Sequence, residues 1–279
     1  MMHMQEGATL VVAALGYLVA SVCYGAFVML RNPTLARVAR YAALIGVVGH
    51  TLSIGIHCAA THRTPFTTPE EAMGASAWAI ALIYLVLDFV IKPQPTALGA
   101  VAQPIAFFCL FAARVFGTSH LPEQGLSKSD VILNSTVISL HVIALLFAFG
   151  LLALAFGCAV LYITQHRMLK QKRSGGLFGK LPSLASIDRL GFGLVSFAFP
   201  LLTIGLISGV IRAVHAMPGG WAVDPKILLS MAMWVVYGIY LALHVLAHWR
   251  GVRANYLLIG GLVIAVATYF VPTVVHRFG

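Results

Sequence analysis

The sequence predicts an all-α fold: a polytopic integral membrane bundle of about eight transmembrane helices. Three observations carry this. Sixty per cent of the residues are apolar, only 9% are charged, and the mean hydropathy is +0.92. A soluble domain would carry about 25% charged residues. The apolar residues also fall into runs long enough to cross a bilayer, which takes about 20 residues each.

The predicted spans are residues 8–30, 38–60, 72–91, 98–117, 131–165, 190–214, 227–249 and 255–275. The first is too long for a cleavable signal, and its basic flank (Arg31, Arg37, Arg40) follows the apolar run instead of preceding it. The fifth, at 35 residues, would be about 52 Å long, against a hydrocarbon core of about 30 Å. It must project or tilt. No soluble domain or internal repeat stands out, so 1–279 reads as a single transmembrane domain. Its one long inner loop, 166–189, opens with the basic run HRMLKQKR, suited to anionic headgroups of membrane lipid.

Lys and Arg divide unevenly between alternate loops. One set holds twelve (Arg31, Arg37, Arg40, Lys92, Arg167, Lys170, Lys172, Arg173, Lys180, Arg189, Arg250, Arg253) and the other six. The richer set is expected to be cytoplasmic, which puts both termini and the 215–226 loop on the outer, periplasmic side. The net charge of +10 is thus a matter of topology, and no nucleic-acid partner is expected. Cys23, Cys58, Cys109 and Cys158 each stand alone in apolar stretches, without a CxxC pair, and read as small buried hydrophobes.

Between the sixth and seventh spans the chain becomes specific. Asp224 before Pro225 is a helix start, because the carboxylate accepts from the first free amides and proline at the first helical position loses no bond. Thr68, Pro69 and Glu71 read the same way at the third helix. The run Phe199-Pro200-Leu201-Leu202-Thr203-Ile204-Gly205, Ser208-Gly209, Trp221 with Asp224-Pro225-Lys226, Trp234 and Ile239-Tyr240-Leu241 resembles the core of the CcsA-type cytochrome c assembly proteins, which handle heme. The likeness is dense over roughly the last hundred and fifty residues. The outer loop holds a single tryptophan, Trp221, with Val223 directly before Asp224, where the family has several tryptophans ending in Trp-Asp-Pro. This reduced loop resembles the HemX and YpjD-like branch.

Eleven histidines in so apolar a chain call for a chemical explanation, and a neutral imidazole is a good iron ligand. His3, His62, His120, His141, His215 and His276 fall on the outward side, with His57 near it. The resemblance implies that His141 and His276 are axial heme ligands, and the charge-derived topology independently puts both at the depth of Trp221. The plainer alternative is that these are interfacial histidines and that Trp221 is an aromatic-belt residue. His50 and His57, seven apart, share a helix face and are either functional or bonded to a neighbouring carbonyl. His244 and His248 are spaced i, i+4 as a metal pair could be. Where the family often has an intramembrane heme-entry histidine this chain has Ala242, and His244 would point about 200° away, which argues against an intramembrane relay.

Two functions follow. The resemblance implies a heme-binding protein of the bacterial inner membrane that holds heme b at the outer face between His141 and His276, with Trp221 and the Gly219-Gly220 turn as platform and Asp224-Pro225 fixing it. The heme edge would be offered to the thiols of a CxxCH motif on apocytochrome c. A lyase of that kind would need a ResB/CcsB-like partner, because the chain has no large outer domain. The alternative is a non-enzymatic subunit: a b-heme electron carrier, or a regulatory or scaffold component of a larger complex. A transporter has little support, since the sequence offers no evident buried charge pair or paired broken helices at the midplane.

Overall fold

The computed structural model describes residues 2–61, 68–91, 95–116, 136–171, 182–216 and 220–271, with backbone alone at 2–4, 69, 116, 136–139, 215 and 216. The described residues form eight α-helices: α1 (Met2–Leu30), α2 (Pro33–Thr61), α3 (Pro69–Val90), α4 (Thr96–Phe116), α5 (Thr136–Lys170), α6 (Leu184–Ala216), α7 (Pro225–Leu246) and α8 (Val252–Phe270). A 3₁₀ turn, Trp221–Val223, precedes α7. All eight helices are long and apolar enough to cross a membrane, and no strand occurs among the described residues. Backbone polar groups must be satisfied within each segment in lipid, so helices are the form this composition dictates. The protein is a multi-pass membrane protein.

Several helices outrun the predicted spans because their polar first turns are helical too. α2 begins at Pro33 and α6 at Leu184, while α5 carries Arg167 and Lys170 on its last turn. α7 is shorter than expected and ends at Leu246. His248 adopts a left-handed conformation (φ 48°), and the Trp249 amide turns back to the Leu243 carbonyl at 3.0 Å.

The chain divides into two compact units, residues 1–120 with 161–187, and residues 121–160 with 188–279. In the first, α1 packs on α2 and α4, and α3 on α4. The α1–α2 pair is held by a backbone approach at glycines: a Cβ on Gly16 would lie 2.6 Å from the Gly46 Cα. Small residues at such a seam let two helices close to van der Waals contact where water supplies no driving force. The described core of this unit contains a charge pair, Arg40 Nε to Asp88 Oδ2 at 2.6 Å, with Asp88 fully buried. The sequence did not make this pair evident. The pair lies near helix ends, seven residues into α2 and two from the end of α3. Pro104 and Pro200 sit inside α4 and α6, and both helices continue past them.

In the second unit, α6 packs on α7 through Phe199 stacked on Trp234 (5.2 Å between centroids), and the Trp234 indole N–H donates to Thr203 Oγ1 at 2.9 Å. α7 packs on α8. All four cysteines are free; Cys158 is buried, whereas Cys23, Cys58 and Cys109 are only half-buried.

Candidate functional site

The second unit carries the residues with the sharpest local design. His141 lies on the second turn of α5, and its ring rests on α6. Gly205 and Gly209 are spaced i, i+4 and so share one face of α6. A Cβ on Gly209 would come within 2.8 Å of His141 Cε1, and one on Gly205 would overlap the Leu145 side chain. His141 and Leu145, one turn apart on α5, therefore fill the two hollows these glycines leave. His141 Nδ1 is 2.8 Å from the Gly205 carbonyl oxygen and 3.1 Å from Ser208 Oγ. The half-buried imidazole is fixed by one edge, and its position is set by α6 rather than by its own helix.

After α6 the chain turns through Trp221–Val223 into α7. Asp224 is buried and caps α7: its Oδ1 accepts from the Lys226 and Ile227 amides at 2.9 and 3.3 Å, with Pro225 at the first helical position. The Asp224 amide in turn donates to the Trp221 carbonyl at 3.2 Å. One residue thus ties the tryptophan turn to the start of α7, as the Asp-Pro pair predicts. Trp221 itself is half-buried. His276, the other expected ligand, lies outside the described residues, as do Gly219, His62 and His120. The side chains of His3 and His215 are likewise outside the description.

His50, His57 and His244 have local partners. His50 and His57 do share a face of α2: the first meets the Tyr17 hydroxyl at 3.2 Å through Nδ1, and the second meets Glu6 Oε1 at 3.1 Å. Both partners are side chains on α1, and neither is the neighbouring carbonyl that one of the two alternatives supposed. His57 also lies 3.9 Å from Glu71 Oε1. Glu71 closes a capping box with Thr68 at the head of α3, the structural role anticipated for it. His244 stacks on Phe192 at 4.3 Å, with Nε2 3.8 Å from Asp188. His244 and His248 are not a helical pair, because α7 ends between them and His248 turns left-handed. Among the described residues no three His, Cys, Asp or Glu side chains are grouped to hold a metal ion.

What sequence reasoning missed is the seat of His141. The signal was visible as small residues four apart, Gly205 and Gly209, which mark close helix approach. Which residue filled the hollows was not visible. The buried Arg40–Asp88 pair was missed because Arg40 reads as one more cytoplasmic loop charge.

The family described as "Cytochrome C assembly protein" matches residues 67–277, a stretch that includes His141, Trp221, Asp224 and His276. The chain is 24% identical over 259 residues to the cytochrome c biogenesis protein CcsA of Guillardia theta, covering 85% of this chain and 84% of that protein. It is 23% identical over 291 residues to the CcsA of Porphyra purpurea, covering 88% and 89%. Against the CcsA of Synechococcus sp. (strain CC9605) it is 25% identical over 228 residues, covering 74% and 73%. With more than half its length matched and most of each relative spanned, this chain belongs to the cytochrome c assembly protein family, of the CcsA type.

Proposed function

We propose that the protein holds heme b at the outer face of a bacterial inner membrane, between His141 and His276, for attachment to apocytochrome c. The observation that carries this reading is the seat of His141. An imidazole pinned by its Nδ1 edge to a carbonyl of a neighbouring helix has a defined orientation and a second nitrogen available for iron. In this reading Trp221 and the Gly219-Gly220 turn form the platform, and Asp224 holds that platform on α7 through its cap. Bis-histidine ligation protects the iron while the porphyrin edge stays open to the thiols of the apoprotein. The 215–226 segment is the outer loop and 166–189 the cytoplasmic basic stretch. A ResB/CcsB-like subunit presents the apocytochrome.

Detergent-purified protein should show a Soret band that weakens in His141→Ala and in His276→Ala. A colourless protein with intact helicity overturns the reading. Deletion of the gene should abolish covalent heme attachment to c-type cytochromes; normal holocytochrome levels would instead leave a non-enzymatic heme subunit.

A further inference from the structure

We infer that the Gly205 carbonyl fixes the tautomer of His141, so that Nδ1 carries the proton and Nε2 keeps the lone pair that meets iron. This rests on the reading of His141 as an axial ligand and adds which nitrogen ligates and which groups decide it. The α6 residues Gly205, Ser208 and Gly209 are positioning residues, which would act on the iron only through the His141 ring.

The argument is one of donors and acceptors. Two oxygens face Nδ1: the Gly205 carbonyl at 2.8 Å and Ser208 Oγ at 3.1 Å. A hydroxyl can donate or accept, so Ser208 alone would be compatible with either tautomer. A carbonyl oxygen can only accept. At 2.8 Å it would face a bare nitrogen lone pair in the other tautomer, two acceptors in contact in a low-dielectric environment. The nearer oxygen therefore requires an N–H on Nδ1. Ser208 does not compete for that role, because its hydroxyl lies 2.7 Å from the Ile204 carbonyl and 3.0 Å from that of Gly205, and its single proton is directed to the backbone. With that proton placed, Ser208 Oγ presents a lone pair to Nδ1 and supports the same tautomer.

Gly209 supplies the space. Its missing Cβ would stand 2.8 Å from His141 Cε1 and 3.4 Å from Nδ1, so only glycine lets the ring lie close enough for Nδ1 to reach the carbonyl one turn back. An N–H donated to a carbonyl also raises the basicity of the opposite nitrogen, which is the usual outer-shell arrangement for a ligating histidine.

The test uses full-length protein in detergent, labelled with ¹⁵N-histidine and free of heme, with the His141 signals identified by their loss in His141→Ala. The expected spectrum has a protonated Nδ1 and a bare Nε2; a protonated Nε2 overturns the inference. Ser208→Ala should leave the tautomer unchanged, and a switch in that variant would show that the hydroxyl, not the carbonyl, decides. Titrated with hemin, Gly209→Ala should bind roughly 10- to 100-fold more weakly than the native chain. Equal affinity with an unchanged tautomer would remove Gly209 from the positioning set and overturn that part of the proposal. Should Gly209→Ala fail to fold, as judged by its helicity, the spectrum of the native chain decides. Failure of the native chain to bind hemin at all counts against the proposed function, and the nitrogen spectrum still judges the tautomer by itself.

Discussion

Asp88 and Arg40 meet at 2.6 Å inside the first helical unit, the carboxylate wholly buried and the arginine half-buried. Asp88 Oδ1 and the hydroxyls of Tyr24 and Tyr84 are buried without a hydrogen-bond partner, and the two tyrosine rings pack edge to face at 5.3 Å. An ion pair so placed contributes little against an apolar replacement, yet breaking it leaves a charge with nowhere to go. Asp88→Ala should therefore lower stability by about 3 to 5 kcal/mol, whereas Asp88→Leu combined with Arg40→Met should recover most of the loss. Thermal unfolding in detergent, followed by circular dichroism, reads both. A double variant no better than Asp88→Ala would mean the pair is more than a mutual compensation of charge.

Asp224 is the hinge between the tryptophan turn and α7, and its carboxylate accepts from two amides. Asp224→Ala should cost about 1 kcal/mol, the usual loss for an N-cap, and Asp224→Asn much less. Amide hydrogen exchange should quicken at Lys226 and Ile227 in the alanine variant. Unchanged protection there would show that the turn is held by other contacts.

Two glycines of the first unit make a contrast. A Cβ on Gly99 would strike the Tyr84 hydroxyl and approach Tyr24 Cδ2 at 2.8 Å, both side-chain atoms. One on Gly16 would strike backbone, with Gly46 N at 2.7 Å and the Ala42 carbonyl at 2.8 Å. Gly99→Ala should destabilise by about 1 to 3 kcal/mol and be partly relieved by Tyr84→Phe. Gly16→Ala should cost at least as much, with no truncation able to relieve it. Melting temperatures of the three variants, Gly99→Ala, Gly99→Ala with Tyr84→Phe, and Gly16→Ala, decide the matter.

The Trp234 indole donates to Thr203 Oγ1, which in turn donates to the Phe199 carbonyl at 2.8 Å. Thr203→Val should cost about 1 kcal/mol, because it leaves the indole N–H unpaired in a helix interface. Trp234→Phe in that background should cost less than it does alone. Strict additivity in this cycle would argue that the bond is not formed in the membrane.

The helices were legible in the sequence because in lipid apolar length and backbone satisfaction coincide. The caps at Thr68 and Asp224 were legible for a different reason: each is a short-range pattern that carries its own hydrogen-bonding partner. What escaped was of two kinds. The ends of α2, α5 and α6 were drawn short because hydropathy falls where polar residues begin, while the helix continues through Arg37, Arg167 and Asp188. The other kind was pairing at a distance: His141 with Gly205 across 64 residues and Arg40 with Asp88 across 48. Periodicity reports which face of a helix is apolar, not which neighbour that face meets. The excess of histidine pointed to iron, whereas three of the imidazoles meet Tyr17, Glu6 and Phe192, residues that no spacing rule nominates.

The Gly16–Gly46 approach leaves the first two helices no freedom to adjust on the side where they touch. Whatever tuning this hairpin undergoes to suit a thicker, thinner or stiffer bilayer must be written on its outward residues, such as Val11, Leu15 and Val22 on one helix and Ile45, Val48 and Leu52 on the other. Among homologues, drift should concentrate on that greasy exterior, with the inner seam standing still.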